Sequence, residues 1–306
     1  MTTQIKLLID DKKRKRKRGT VKVKRGVRQL FPGRIEREYT AYLNKLVSVL
    51  IAQTKDHILP ELPAIVEEAG LARPNSDGLF FSLTKKIKSV FNRDDFSDRI
   101  SNAVLNARVG IEGEYTAGEL ESITQTIANE TSDFNRKEVT KVLKRMIDVN
   151  VFFEEPWLDQ EVNAFIKQNI DLIKTIPDKH FKDIQGMIYR GARQGIRHEE
   201  IQKEIMGTYK KTRNIAKRIA RDQVNKFNGQ LTKLRQESLG IDKYRWNTVG
   251  DERVRGTPGG RSPDAKPSHY DRDGKTYEWE NPPVGGHPGE PILCRCWGEP
   301  ILDAFL

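Results

Sequence analysis

Four side chains near the C-terminus have the types and spacing to bind a metal. His269, His287, Cys294 and Cys296 fall within 28 residues and include both cysteines of the chain. Thiolate and imidazole are the usual ligands of tetrahedral zinc. Together the four residues would make a complete set for one structural zinc. A single residue separates Cys294 from Cys296, where zinc hairpins usually have two or more. The alternative is that both cysteines are small buried apolar groups and both histidines make hydrogen bonds in turns. A Cys294–Cys296 disulfide would meet bridge geometry only with strain.

Two Cys and two His would close the coordination sphere, which is the mark of a structural site. On that ground no catalytic residue is assigned and the protein is not expected to be an enzyme. The rival is a metal-dependent nuclease or hydrolase. In that reading Asp251 and Glu252 would polarise a water, and Arg253 or Arg255 would hold a phosphate.

The cluster must be positioned by a small α+β cap over residues 241–306. Tyr244 to Thr248 and Lys275 to Trp279 alternate as short strands do, and Leu293 to Trp297 reads as a third. Pro282-Pro283, Gly285-Gly286 and Pro288-Gly289 are turns. A unit of this size has a thin core, so it gains from a metal or from docking on a helix. Arg253 and Arg255 share one face of an extended segment. They are expected to tie the cap to Asp222, with Asp251 and Arg295 as further structural residues of the cap.

These residues also carry a resemblance. The order D-E-R-V-R (Asp251 to Arg255), a downstream His, P-P, then H-P-G-E-P-I-L-C-R-C (His287 to Cys296) resembles the C-terminal signature of phage minor head proteins. That group is the Mu F-like and SPP1 gp7-like head morphogenesis family. The string I-D-L-I-K-T-I-P through G-A-R-Q-G-I extends the resemblance to about residues 165–297. Here Gly256 to Ser268 intervenes before His269 and reads as a loop insertion. The resemblance implies a minor head protein, inside the capsid or near the portal, acting in head morphogenesis, DNA packaging or ejection. The implied partners are the portal protein, a scaffold or major capsid protein, and phage DNA. The implied location is the virion, after assembly in the host cytoplasm.

The rest of the chain reads as helix. Residues 34–164 form a helical domain, and residues 165–240 the helical part of the head-morphogenesis domain. Apolar stripes recur at three- and four-residue spacing, as at Ile35, Tyr39, Leu43, Leu46 and Leu50. Phe80 to Phe91 and Phe96 to Ala107 mark two further helices. Thr116 caps one helix, and Asn135 with Glu138 reads as the start of another. Pro177 is expected to stop a helix, with Asp178 capping the next. Lys210 to Leu239 is one long helix, striped by Ala216, Ala220, Val224, Phe227, Leu231 and Leu234 and followed by Gly240. Nine of its side chains are Lys or Arg, a solvated face or a phosphate-facing surface that includes Lys210, Lys211, Lys217 and Arg218.

Net charge is +11, and residues 1–30 hold +10 of it. Lys12, Lys13, Arg14, Lys15, Arg16, Lys17 and Arg18 form an unbroken run. Such a run repels itself, so residues 1–33 are expected to be a basic disordered arm, binding DNA phosphates without regard to sequence. No periodic apolar face is visible there, so the body should fold without it. No apolar run approaches a membrane helix, no apolar stretch marks a secretory signal, and two clustered cysteines argue against a disulfide-stapled secreted protein. The fold class is therefore mainly α: a multi-helix body with a basic arm and a small loop-rich α+β cap.

Overall fold

The computed structural model describes residues 4–15, 23–71 and 95–305. The chain is mainly helical with a small, loop-rich C-terminal region that contains the strands. The helices are α1 (Gln4–Lys15), α2 (Gly33–Gln53), α3 (Leu62–Leu71), α4 (Asp95–Glu114), α5 (Ala117–Ile147), α6 (Leu158–Gln194), α7 (His198–Gly207) and α8 (Tyr209–Ser238). The strands are β1 (Lys243–Asn247), β2 (Thr276–Glu278) and β3 (Trp297–Pro300). The expected helix at Phe80 to Phe91 lies outside the described residues.

The chain divides into two compact units. One comprises Met1–Tyr39, Ile123–Lys167 and Ala220–Leu306, and holds the cap. Its core gathers Ile5 and Ile9 with Val139, Val142, Leu143, Met146, Leu239, Ile241 and Leu302. This corrects the expectation of a disordered arm for the described part of residues 1–33. Residues 4–15 form a helix, and Ile5 and Ile9 are fully buried four residues apart on one face. Each such burial contributes about 1.5 to 3 kcal/mol, enough to hold a short basic helix down. Arg16 to Arg18 lie outside the described residues.

Two helices run through expected breaks. Thr116 and Glu119 cap α5 reciprocally: Thr116 Oγ1 accepts the Glu119 N–H at 3.3 Å, and Glu119 accepts the Thr116 N–H at 2.9 Å. Asn135 and Glu138, read as a second start, sit inside this same helix. Their polar groups reach other elements instead. Asn135 Nδ2 donates to the Asn228 carbonyl at 2.9 Å and to Thr232 Oγ1 at 2.7 Å. Glu138 accepts the Leu30 N–H at 3.1 Å. Likewise Pro177 lies within α6. An interior proline costs about 3 kcal/mol, and the buried stripe of Ile173, Ile176, Phe181, Ile184 and Ile188 spans it and outweighs that cost.

The second unit comprises Thr40–Ser122 and Gln168–Ile219. A π-helical turn (Thr54–Ile58) and a 3-10 turn (Leu59–Glu61) carry the chain from α2 into α3. Arg99 of α4 pairs with Glu61 and Glu68, each at 2.8 Å.

In the cap, β1 is the central strand of an antiparallel sheet ordered β2-β1-β3. Period-two alternation puts Tyr244 and Trp246 on one buried face. With Trp279, Cys294 and Cys296 they form the second core. The last strand begins at Trp297, because Leu293 takes a left-handed backbone (φ 56°) in the turn that brings Cys294 inward.

Candidate metal centre

The centre is built on β1 and two loops. Trp246 projects into the cap core, and its ring meets the His269 ring edge-on at 5.2 Å. The loop Gly256 to Ser268 closes on itself through Gly256 N–H to the Ser262 carbonyl and Arg261 N–H to the Glu252 carbonyl. It returns the chain so that His269 N–H donates to the Arg255 carbonyl at 2.9 Å. The turn after Pro288-Gly289 brings in the two cysteines, with Cys294 N–H donating to the Pro291 carbonyl at 2.9 Å.

His269, Cys294 and Cys296 converge, each offering one donor atom within 4.8 Å of the others. His269 Nδ1 is 3.6 Å from the Cys294 sulfur and 3.5 Å from that of Cys296. All three residues are buried. Two sulfurs and one imidazole nitrogen at this spacing are a donor set that suits zinc. The Gly289 N–H points at Cys294 Sγ from 3.4 Å, as ligand sulfurs are commonly supported. Burial acts to raise the Cys294 thiol, but hydrogen bonds with Cys296 and His269 outweigh it and hold it well below its ordinary value. The Cys296 thiol is pushed well above its own, first by its bond to Cys294 and then by burial.

His287 stands apart from this triad. Its Nδ1 shares a hydrogen bond with Tyr244 Oη at 2.9 Å, and its ring packs edge-on against Tyr244 and Trp279. Burial lowers its pKa. The set expected from sequence was four ligands; the structure brings three together. The expectation that the protein is not an enzyme rested on four-ligand closure, and the triad overturns it. A tetrahedral ion on three protein ligands keeps a fourth position, as catalytic zinc does.

Asp251 pairs with Arg295, the residue between the two cysteines. Arg295 Nη2 contacts both carboxylate oxygens, at 2.7 and 2.6 Å. Partial burial works against ionisation of Asp251. The Arg295 hydrogen bond and the Arg253 backbone N–H outweigh it and hold the carboxyl below its usual range. Arg253 and Arg255 do not reach Asp222. Arg253 Nε lies 3.9 Å from Asp251, and Arg255 donates to the Ile292 carbonyl at 2.7 Å. Asp222 instead accepts the Leu293 backbone N–H at 2.7 Å and pairs with Lys226 at 2.8 Å. A backbone donor one residue before Cys294 was nearer than either guanidinium.

The expected phosphate-binding cations are scattered. Lys12 is largely buried and pairs with Asp148 at 2.7 Å. Lys13 is half-buried, Arg14 is exposed, and Lys15 pairs with Asp11 at 2.8 Å. Lys210, Lys217 and Arg218 are exposed on α8, and Lys211 lies 3.5 Å from Asp183. Arg235, counted with them from sequence, is fully buried and bonds Glu155 at 2.5 Å and Asn135 at 2.6 Å. The sequence reading missed Trp246 and Gly289 as supports of the triad; the only signal was their place in the same short stretch as its ligands.

No solved structure matches this chain. An uncharacterized protein of Haemophilus influenzae is 31% identical over 223 residues. That stretch is 72% of this chain and 44% of that protein, so the chain spans less than half the length of this curated relative. Residues 182–298, which include α8, β1, β2 and the triad, match the family described as Phage Mu protein F like protein, and over that segment the chain resembles phage head-morphogenesis proteins.

Proposed function

We propose that the cap is a metal-dependent hydrolytic centre acting on phosphodiesters, with His269, Cys294 and Cys296 as ligands of one zinc. The observation that carries this reading is the convergence of three donors rather than four. Zinc in such a set would supply Lewis acidity. Asp251, ionised and bonded to the residue between the two cysteines, is the carboxylate assigned to accept a hydrogen bond from an attacking water and orient it. Arg253, about half exposed, is the cation suited to hold a phosphate.

Metal content, melting and hydrolysis of duplex DNA and of a small phosphodiester should be measured on purified chain. About one equivalent of zinc is expected, with hydrolysis lost on chelation and restored by zinc. Asp251→Asn should retain the metal and lose about 100-fold or more in rate. Zinc-loaded protein that melts higher but hydrolyses neither substrate would overturn the hydrolytic reading and leave the metal centre standing.

A second reading, compatible with the first, is a phage head-morphogenesis protein. The match over residues 182–298 favours it. In this reading the chain works in the virion, at the head interior or portal vertex, in assembly, packaging or ejection. Its partners are the portal protein, a scaffold or major capsid protein, and phage DNA bound through exposed cations. No helix among the described residues is long and apolar enough to cross a membrane. Presence in purified particles and co-sedimentation with portal protein test this reading, and absence from both counts against it.

A further inference from the structure

Two open clefts adjoin on the unit that holds the cap, with volumes of about 680 and 710 Å³. They share Lys144, Arg145 and Asp148. Lys137 adds to the first, and Lys24 and Arg28 to the second. All five cations are exposed, and none has a carboxylate partner among the described residues. Asp148 is the one acid lining either cleft, and Lys12 neutralises it at 2.7 Å. Lys12 also donates to the Ile147 and Asp148 carbonyls, each at 2.8 Å. It thereby offsets the negative end of α5, which would otherwise repel an anion there.

We propose that this groove, formed by the C-terminal half of α5 and the segment 23–28, binds the phosphate backbone of duplex DNA. The row is too long for a single small anion. Lys137 to Arg145 covers about 12 Å of helix at 1.5 Å per residue, and Lys24 and Arg28 extend it. The uncharged polar side chains on the lining are Thr140 and Asn150, too few to read bases, so binding is independent of sequence. Of the apolar side chains on the lining, Met146 and Ile147 are buried and Val27 is half-buried, so the patch lacks the exposed apolar centre typical of a protein interface. The inference rests on the DNA part of the head-morphogenesis reading and assigns it to residues other than those of α8 and the first basic run.

Fluorescence anisotropy of the full chain with a duplex of about 30 base pairs, from roughly 50 to 200 mM salt, tests it. Lys24→Ala, Arg28→Ala, Lys144→Ala and Arg145→Ala combined should weaken binding about tenfold or more and flatten the log–log salt slope by about 3. The melting midpoint should hold, since all four side chains are exposed. Should the combined variant misfold, Lys137→Ala with Lys144→Ala should show about half the change in slope, as the release of one counterion per contact implies. Unchanged affinity and slope would overturn the groove. If Lys210→Ala, Lys211→Ala, Lys217→Ala and Arg218→Ala then abolish binding, the DNA reading survives without it. A chain that binds no duplex removes both, and one that prefers polyglutamate to duplex points to an acidic protein in place of DNA.

Discussion

Glu299 accepts the backbone N–H of Gly26 at 2.5 Å, and the same oxygen takes that of Val27 at 3.1 Å. Glu299 is buried on β3, so the last strand of the cap holds an N-terminal segment in place. Arg25 adds an exposed ion pair to Asp303 at 3.0 Å. The described residues 4–15 and 23–33 are therefore part of the folded unit.

Glu299→Ala should strand two partly buried backbone donors, at about 1 to 3 kcal/mol for each left unsatisfied. Deleting residues 1–30 should cost more, because two buried isoleucines leave the core, together worth about 3 to 6 kcal/mol. Urea unfolding of both variants is the measurement. A truncated chain with an unchanged midpoint would mean that α1 does not pack as described.

Cap docking runs through Asp222 and Gly229 on α8. Asp222→Ala removes the acceptor of the Leu293 N–H and should cost about 1 to 3 kcal/mol. A Cβ on Gly229 would stand 2.8 Å from the Pro288 carbonyl oxygen and 3.1 Å from the Gly289 Cα. Gly229→Ala should therefore cost about 1 to 3 kcal/mol through overpacking. Arg253→Lys should change stability by less than about 0.5 kcal/mol, as expected of a half-exposed residue without a close partner. Hydrogen exchange at the Leu293 amide reports the docking directly. Faster exchange in Arg253→Lys than in Asp222→Ala would reverse the assignment.

His180 gives the second unit a pH dependence. It is buried between Thr54 Oγ1 at 3.1 Å and Thr212 Oγ1 at 3.2 Å, and burial lowers its pKa to about 4. Thr54 donates to the Leu50 carbonyl, so its oxygen accepts from His180 Nε2–H, and burial keeps the ring neutral. The unfolded chain takes up this proton near pH 6.5 and the folded chain only near 4. Stability contributed by neutral His180 is thus complete above about pH 6.5 and lost as pH falls towards 4, by about 3 kcal/mol. His180→Gln should flatten that part of the stability profile. An equal slope in the variant would assign the pH dependence to other groups.

Local chemistry was legible in the sequence wherever one segment decided it. The cap at Thr116, the apolar stripe of α8, the alternation of β1 and the Gly240 stop all appear as read, because each depends on residues a few positions apart. The pattern also named all three members of the triad, since His269, Cys294 and Cys296 share one short stretch.

What tertiary structure alone decided was where polar groups found partners. Asn135 and Glu138 have the form of a helix start, yet more distant groups at Asn228, Thr232 and Leu30 claim their side chains. Arg235 reads as a surface cation until Glu155 and Asn135 are brought to it. From sequence His269, set off by the Gly256 to Ser268 insertion, had the weaker claim to a ligand position, yet it joins the cysteines while His287 bonds the Tyr244 hydroxyl. The basic run at Lys12 looked too charged to bury, but Ile5 and Ile9 meet α5, and Lys12 caps that helix. In each case a burial or hydrogen bond worth one to a few kcal/mol, made across the fold, overrides a local preference of about 1 kcal/mol or less.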